Sequence, residues 1–223
     1  MATPPAPKTI LLVGASRGLG QAMAAEYVKR GWTVIGAVRG ADRTPLHDLA
    51  DANPGRVSIE TLDILDPAQI AALQARLTDR KLDALFVNAG VTNNPAETVA
   101  DVTTDEFVRV MVTNALSPMK VIEALEGLVA ADGLIGVMSS GQGSVTNNTV
   151  GMREVYRSSK AALNQFMRSF AARHAGDPRA MVVMAPGWVR TDMGGSQAPL
   201  TIADSIPSLV NVLLAQHGQP GLR

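Results

Sequence analysis

Tyr156 and Lys160 stand four residues apart in the run Tyr-Arg-Ser-Ser-Lys. On a helix that spacing places a phenol and an ammonium on one face, about one turn from each other. A nearby positive charge favours the phenolate, so the pair could move a phenol with an ordinary pKa of about 10 toward the range where it exchanges protons near neutrality. The same spacing is common on plain helix surface, so the pair takes its meaning from what the rest of the chain brings to it.

A second group of residues suits a different task. Gly14, Gly18 and Gly20, in Gly-Ala-Ser-Arg-Gly-Leu-Gly, follow the apolar run from Lys8 to Val13 and precede a helical stretch from Gln21 to Arg30 that stops at Gly31. Glycines between a strand and a helix let the backbone turn tightly and approach a pyrophosphate, whose charge is favoured at a helix N-terminus. The cradle would comprise Gly14, Ser16, Arg17, Gly18, Leu19 and Gly20. No Gly-Lys-Ser/Thr follows, which excludes a phosphate-transferring P-loop. A second strand, Thr33 to Val38, ends without the acidic residue that would hold a ribose 2'-hydroxyl. It delivers Arg39 instead, suited to a 2'-phosphate, with Arg17 as a second candidate and plain surface arginine as the alternative for both.

The elements that must position these groups alternate. Arg56 to Leu62 reads as a third strand ending at Asp63 and Ile64, where Asp63 could meet an adenine edge, and Asp66-Pro67 opens a helix. Leu82 to Val87 is a fourth strand leading into Asn88, Ala89 and Gly90. A long helical stretch from Thr104 to Ala130 contains Asn114, and a fifth strand, Leu134 to Met138, delivers Ser139 and Ser140. The helix of Tyr156 runs to about His174, a sixth strand, Ala180 to Met184, leads into Pro186 and Gly187, and a last helix covers Ile202 to Ala215. This pattern predicts an α/β fold, a single-domain doubly wound parallel sheet of Rossmann type with helices on both faces and six strands, spanning 8–223 after a flexible 1–7. Ligands of such sheets bind outside the carboxyl ends of the strands, where the glycine turn, Asn88, Ser140 and Pro186 all fall.

Composition narrows the chemistry. Of 223 residues, 46% are hydrophobic, enough for one substantial core, and 20 basic residues balance 20 acidic ones without a run of like charge. Nothing provides the electrostatic footprint of a nucleic-acid or anionic-membrane partner. With no cysteine and only His47, His174 and His217 as imidazoles, no disulfide framework, thiolate nucleophile or metal site is expected. The first residues lack a signal-peptide core, so the expected compartment is the cytoplasm.

Taken in order, Gly14, Gly18 and Gly20, then Asn88-Ala89-Gly90, Asn114, Ser140, Tyr156 with Lys160, and Pro186-Gly187 resemble the signatures of the short-chain dehydrogenase/reductase family over nearly the whole chain. That resemblance implies hydride transfer between a nicotinamide and a carbonyl or alcohol carbon. Tyr156 would be the proton donor in reduction, and Lys160 would lower its pKa and hold the nicotinamide ribose. Ser140 would donate a hydrogen bond to the substrate oxygen, with Ser139 as its rival, and Asn114 would hold a water that links Lys160 to solvent. Pro186, Gly187, Val189 and Thr191 would frame the carboxamide, and NADPH would be preferred over NADH.

The expected partner is a small carbonyl or alcohol compound, bound by Gly141 to Arg153 and Asp192 to Thr201, which show no charged cluster. The second of these segments could be a flap. Ser140 precedes Tyr156 by sixteen residues, a longer interval than many members have. The family's seventh strand is apparently missing, which favours a homodimer over a tetramer. Leu163, Phe166, Met167 and Phe170 offer either a dimer face or deeper burial. A non-catalytic NADP(H)-binding sensor on the same scaffold is the alternative, and a methyltransferase with a similar sheet a third reading.

Overall fold

Ile10, Leu11, Leu12 and Val13 are all buried, so the first strand is apolar on both faces and both must be covered. The structure is a computed structural model that describes residues 7–223. Except for Pro7, the expected flexible stretch over 1–7 lies outside the described residues. In chain order the elements are β1 (Thr9–Val13), α1 (Gly18–Lys29), β2 (Thr33–Val38), α2 (Pro45–Ala52), β3 (Val57–Thr61), α3 (Pro67–Arg76), β4 (Leu82–Val87) and α4 (Thr104–Met111). They continue with α5 (Ser117–Leu125), β5 (Val129–Met138), α6 (Glu154–Arg173), β6 (Ala180–Met184), α7 (Ile202–Gln216) and β7 (Gly221–Leu222).

The strands form one sheet in the order β3-β2-β1-β4-β5-β6-β7, with every neighbouring pair parallel. Ile10 and Leu12 pack with Met23 and Tyr27 of α1 and Leu213 of α7. Leu11 and Val13 face the opposite layer, where Leu73 of α3, Ile122 of α5, and Leu163, Met167 and Phe170 of α6 lie. Three of the four α6 residues offered as a dimer face are therefore core, and Phe166 alone is exposed. The chain runs outward from β1 to β3 and returns to β4 on the other side of β1. This reversal opens the crevice at the strand ends.

Three expectations need correction. The seventh strand is present: Gly221 and Leu222 pair in parallel with Ala180 and Met181. The Arg223 N–H donates to the Met181 carbonyl at 2.9 Å, and the Val183 N–H to the Arg223 carbonyl at 2.8 Å. A strand of two residues has no periodicity to read, and it is defined by backbone pairing that the sequence does not display.

The single helix expected over Thr104 to Ala130 is broken. A π-helical turn, Val112–Leu116, separates α4 from α5, and a 3-10 turn, Glu126–Leu128, leads into a β5 that begins at Val129. Pro118, near the start of α5, has no N–H to give to the carbonyl of Asn114 four residues earlier, so the regular ladder cannot pass through. Last, α2 lies in a stretch where no helix was expected. Thr44 caps it, its own N–H bonded to His47 Nδ1 at 3.0 Å, with Pro45 at the first turn, a start signal that the Thr-Pro dipeptide carries.

Tyr27 is fully buried, edge-on to Trp32 at 5.1 Å between ring centres, and its hydroxyl has no partner among the described residues. Burial pushes its pKa well up, only partly opposed by Arg30. Removing an unsatisfied buried hydroxyl while keeping the ring should cost nothing, so Tyr27→Phe is expected to be more stable by about 1 kcal/mol in denaturant unfolding. A clear loss of stability would show that the hydroxyl is hydrogen-bonded.

Candidate active site

The glycine turn is shaped by close backbone approach. A Cβ on Gly14 would stand 2.6 Å from the Ala89 nitrogen, and one on Gly20 would stand 2.1 Å from the Gly14 carbonyl oxygen and 2.7 Å from Asn88 Nδ2. Asn88 Nδ2 donates to that carbonyl at 2.8 Å, and the Asn88 N–H to the Val13 carbonyl at 2.8 Å, so the end of β4 is tied to the turn after β1. Gly18 adopts φ +57° with open space where a side chain would be. No side chain caps α1, and its first turn holds no acidic residue. An uncapped N-terminus beneath an open glycine turn fits an anionic group such as a pyrophosphate.

Arg39 is exposed and takes part in none of the ion pairs among the described residues. Arg17 instead pairs with Asp192 at 3.1 Å, both well exposed, linking the glycine turn to the loop after β6. At the end of β3, Asp63 Oδ1 accepts from the Leu65 N–H at 2.9 Å, and Ile64 is buried in the core layer of α3. Ser16 and Leu19 are half-buried at the turn.

One turn of α6 carries the proton chemistry. Lys160 is buried, and its Nζ donates to the Met138 carbonyl at the end of β5 at 2.9 Å. Burial brings its pKa down to about 8. Its Nζ is 5.8 Å from the centre of the Tyr156 ring. Gly90 faces the same spot, where a Cβ would come within 3.2 Å of Asn114 Oδ1 and 3.5 Å of Lys160 Nζ.

Burial raises the Tyr156 pKa, opposed in lesser measure by the Ser140 hydroxyl beside the phenol and by the charge of Arg153. The net shift thus runs opposite to the lowering expected from Lys160: desolvation of the phenolate dominates, and the ammonium is directed at a carbonyl. The two serines go to different places. Ser139 Oγ donates to Asn164 Oδ1 at 2.6 Å, whereas Ser140 turns to the phenol and accepts from the Gln142 N–H at 3.1 Å.

Asn114 is fully buried in the π-helical turn. Its Oδ1 accepts from the Val91 N–H at 2.8 Å, and its Nδ2 donates to the Val91 carbonyl at 2.8 Å and to Ser159 Oγ at 3.0 Å. Ser159 Oγ in turn donates to the Tyr156 carbonyl at 2.7 Å. The segment after β4 and the helix of Tyr156 are thereby joined through one carboxamide. Ser159 and Asn164, which brace Tyr156 and Ser139, carried no sequence signal because serine and asparagine are common on helices. Pro118 was visible, four residues beyond Asn114.

The loop after β6 is bonded to itself. Val189 bridges Leu200, Thr191 Oγ1 accepts from the Gly194 N–H at 3.0 Å, and Trp188 Nε1 donates to the Gly194 carbonyl at 2.8 Å. Gly187 has φ +83°, and the Pro186 carbonyl accepts from Ser205 Oγ at 2.7 Å, pinning the loop to α7. Arg153, just before α6, holds φ 62°, the left-handed region, the one such non-glycine among the described residues. That conformation costs an L-residue about 1 kcal/mol.

A doubly wound sheet whose switch point opens onto a glycine turn, with a half-buried tyrosine and a buried lysine one helical turn apart on the same edge, is a Rossmann-type dinucleotide-binding architecture. Residues 8–199 match the model of the family described as short chain dehydrogenase, and the chain belongs to the short-chain dehydrogenase/reductase family. A structure described as a short-chain dehydrogenase/reductase from Burkholderia multivorans with bound NADP is 64% identical, with a TM-score of 0.96 over 97% of this chain and 95% of that one. A carbonyl reductase from Pseudomonas aeruginosa PAO1 in complex with NADP is 32% identical, with a TM-score of 0.89 over 98% and 95% of the two chains. The 1-hydroxy-2-glutathionyl-2-methyl-3-butene dehydrogenase of Rhodococcus sp. (strain AD45) is 32% identical over 83% of this chain and 79% of its own. Among the described residues no helix is long and apolar enough to cross a membrane, and no group of three or more acidic, histidine or cysteine side chains could hold a metal.

The carboxamide bridge has a measurable weight. Asn114→Ala leaves the N–H and carbonyl of Val91 without their partner, and is expected to lower unfolding free energy by about 3 kcal/mol in denaturant titrations. A change under about 0.5 kcal/mol would mean that Val91 finds other partners.

Proposed function

We propose that the protein is an NADP(H)-dependent oxidoreductase that interconverts a small carbonyl compound and its alcohol, with Tyr156 as the general acid and base. The observation that carries this reading is the meeting of the Ser140 hydroxyl, the Tyr156 phenol and the buried Lys160 at the carboxyl end of β5. The reduced nicotinamide, when bound, supplies the hydride to the carbonyl carbon. The glycine turn and the N-terminus of α1 hold the pyrophosphate, Arg39 and Arg17 the 2'-phosphate, Asp63 and Ile64 border the adenine, and Asn88, Ala89, Gly90, Pro186, Gly187, Val189 and Thr191 line the path to the nicotinamide.

The residues of this chain manage the oxygen. Ser140 donates to it as negative charge grows, and Tyr156, which its raised pKa keeps protonated at neutral pH, gives up its proton to form the alcohol. Lys160, with a pKa of about 8, stabilises the phenolate left behind and stands ready to return a proton. The carboxamide of Asn114 is committed to Val91 and Ser159. A relay water between Lys160 and solvent therefore falls to the Asn114 backbone carbonyl, which Pro118 cannot serve. Exposed Phe107, Leu116 and Phe166 support a homodimer through α4 and α6, and the proposed compartment is the cytoplasm.

Two measurements test the reading. With a panel of aldehydes and ketones, Tyr156→Phe should bind NADPH as the wild type does and lose turnover by about 100-fold or more; retained turnover assigns the acid elsewhere, and tight coenzyme binding with no reduction of any compound favours a non-catalytic sensor. In fluorescence titrations NADPH should bind about tenfold tighter than NADH, and Arg39→Ala should erase most of that difference. NADH binding equal to or tighter than NADPH binding, unchanged in the variant, refutes the coenzyme assignment.

A further inference from the structure

We infer that Arg153 selects carbonyl substrates that bear an anionic group, a carboxylate in the simplest case, an inference that rests on the oxidoreductase reading and names its substrate class. Arg153 lies three residues before Tyr156, at the point where the chain enters α6. Its backbone is fixed there, with the N–H donating to the Pro95 carbonyl at 3.2 Å. It holds the left-handed conformation that glycine would adopt without strain, and Gly151, two residues earlier, shows that the chain uses glycine for such geometry nearby. An arginine kept in an unfavourable backbone state at the mouth of a site points to a task for its side chain.

The neighbouring charges already have structural work. Glu154 accepts from the Val99 N–H at 2.8 Å, and Arg157 donates to the Met152 carbonyl at 2.6 Å. On the opposite loop Arg190 donates to the Ala198 carbonyl at 2.7 Å, and Asp192 is paired with Arg17. The segment from Ser139 to Met152 holds no charged residue. The Arg153 guanidinium, by contrast, makes none of the side-chain hydrogen bonds or ion pairs among the described residues, and its charge reaches the Tyr156 phenol. It is a half-buried cation beside the proton donor, without a carboxylate of its own. A guanidinium presents a planar fork that matches a carboxylate in two hydrogen bonds, so a substrate that carries one would be held with its carbonyl directed at Ser140 and Tyr156.

The test uses the protein loaded with NADP⁺ and two probes on one skeleton, anionic 4-acetylbenzoate and its neutral methyl ester. In calorimetric titrations the acid is expected to bind about tenfold tighter than the ester, and Arg153→Gln should bring the two to equal affinity while leaving ester binding unchanged. Arg153→Lys should recover part of the preference. Arg153→Gly, which relieves the backbone and removes the charge, should melt at a higher temperature than wild type and bind like the Gln variant. Equal affinity for acid and ester in the wild type, or an acid preference that survives in Arg153→Gln and Arg153→Gly, overturns the inference. Because these are binding measurements, they stand apart from turnover: failure of the wild type to reduce either probe or any panel ketone counts against the oxidoreductase reading, whatever the acid preference.

Discussion

The burial of one ammonium governs the site. Lys160 loses its hydration beneath the strand ends and has a single hydrogen-bond partner among the described residues, the carbonyl of Met138. An ammonium has three protons to place, so this position is tolerable only because the last residue of β5 turns a backbone oxygen inward and Gly90 leaves the space beside it free of a side chain. The resulting depression to about 8 makes a normally inert cation a proton carrier near physiological pH. Tyr156 is affected by the same desolvation in the other direction, since burial disfavours phenolate as it disfavours ammonium. The acid and its partner therefore draw apart in proton affinity, the ammonium becoming the readier proton donor of the two, with burial as the common cause.

Rigidity around this pair comes from bonds that cross the sheet edge. The Asn114 carboxamide holds both backbone groups of Val91, and through Ser159 it reaches the carbonyl of Tyr156. Asn88 performs a similar service one strand turn earlier, fastening β4 to the glycine loop. Two asparagines thus connect the cradle for phosphates to the turn that moves protons. The Asn114 amide can do so because it donates and accepts at once, whereas the Asn88 amide donates only. The interruption of the helix at the π turn, enforced by Pro118, puts Asn114 where this bridge can form.

Much of this was legible in the sequence, for a physical reason: both faces of the sheet are covered, so the strands appear as unbroken apolar runs such as Ile10–Val13 and Leu82–Val87, and glycines mark their ends. The residues of the candidate site stand out in the sequence because phosphate approach and phenol chemistry restrict the residue type. What escaped depended on backbone geometry or on the balance of opposing effects. The left-handed state of Arg153 leaves no mark in its residue type, and β7 is too short to have a pattern. The direction of the Tyr156 shift depends on whether a neighbouring charge or desolvation wins, and only the depth of the ring and the aim of Lys160 decide that. The break before Pro118 was readable in principle, since a proline removes a donor wherever it falls.

The pairing of β7 has a consequence for how copies of the chain behave toward one another. β6 is a run of Ala, Met, Val, Val and Met, almost all of it buried, and without a neighbour it would present open donors and acceptors along an apolar ribbon, a template for strands of other molecules. Gly221 and Leu222, with the backbone of Arg223, occupy that ladder. The open side of β6 is thus covered by main-chain pairing, with Leu222 packed against the core beside it.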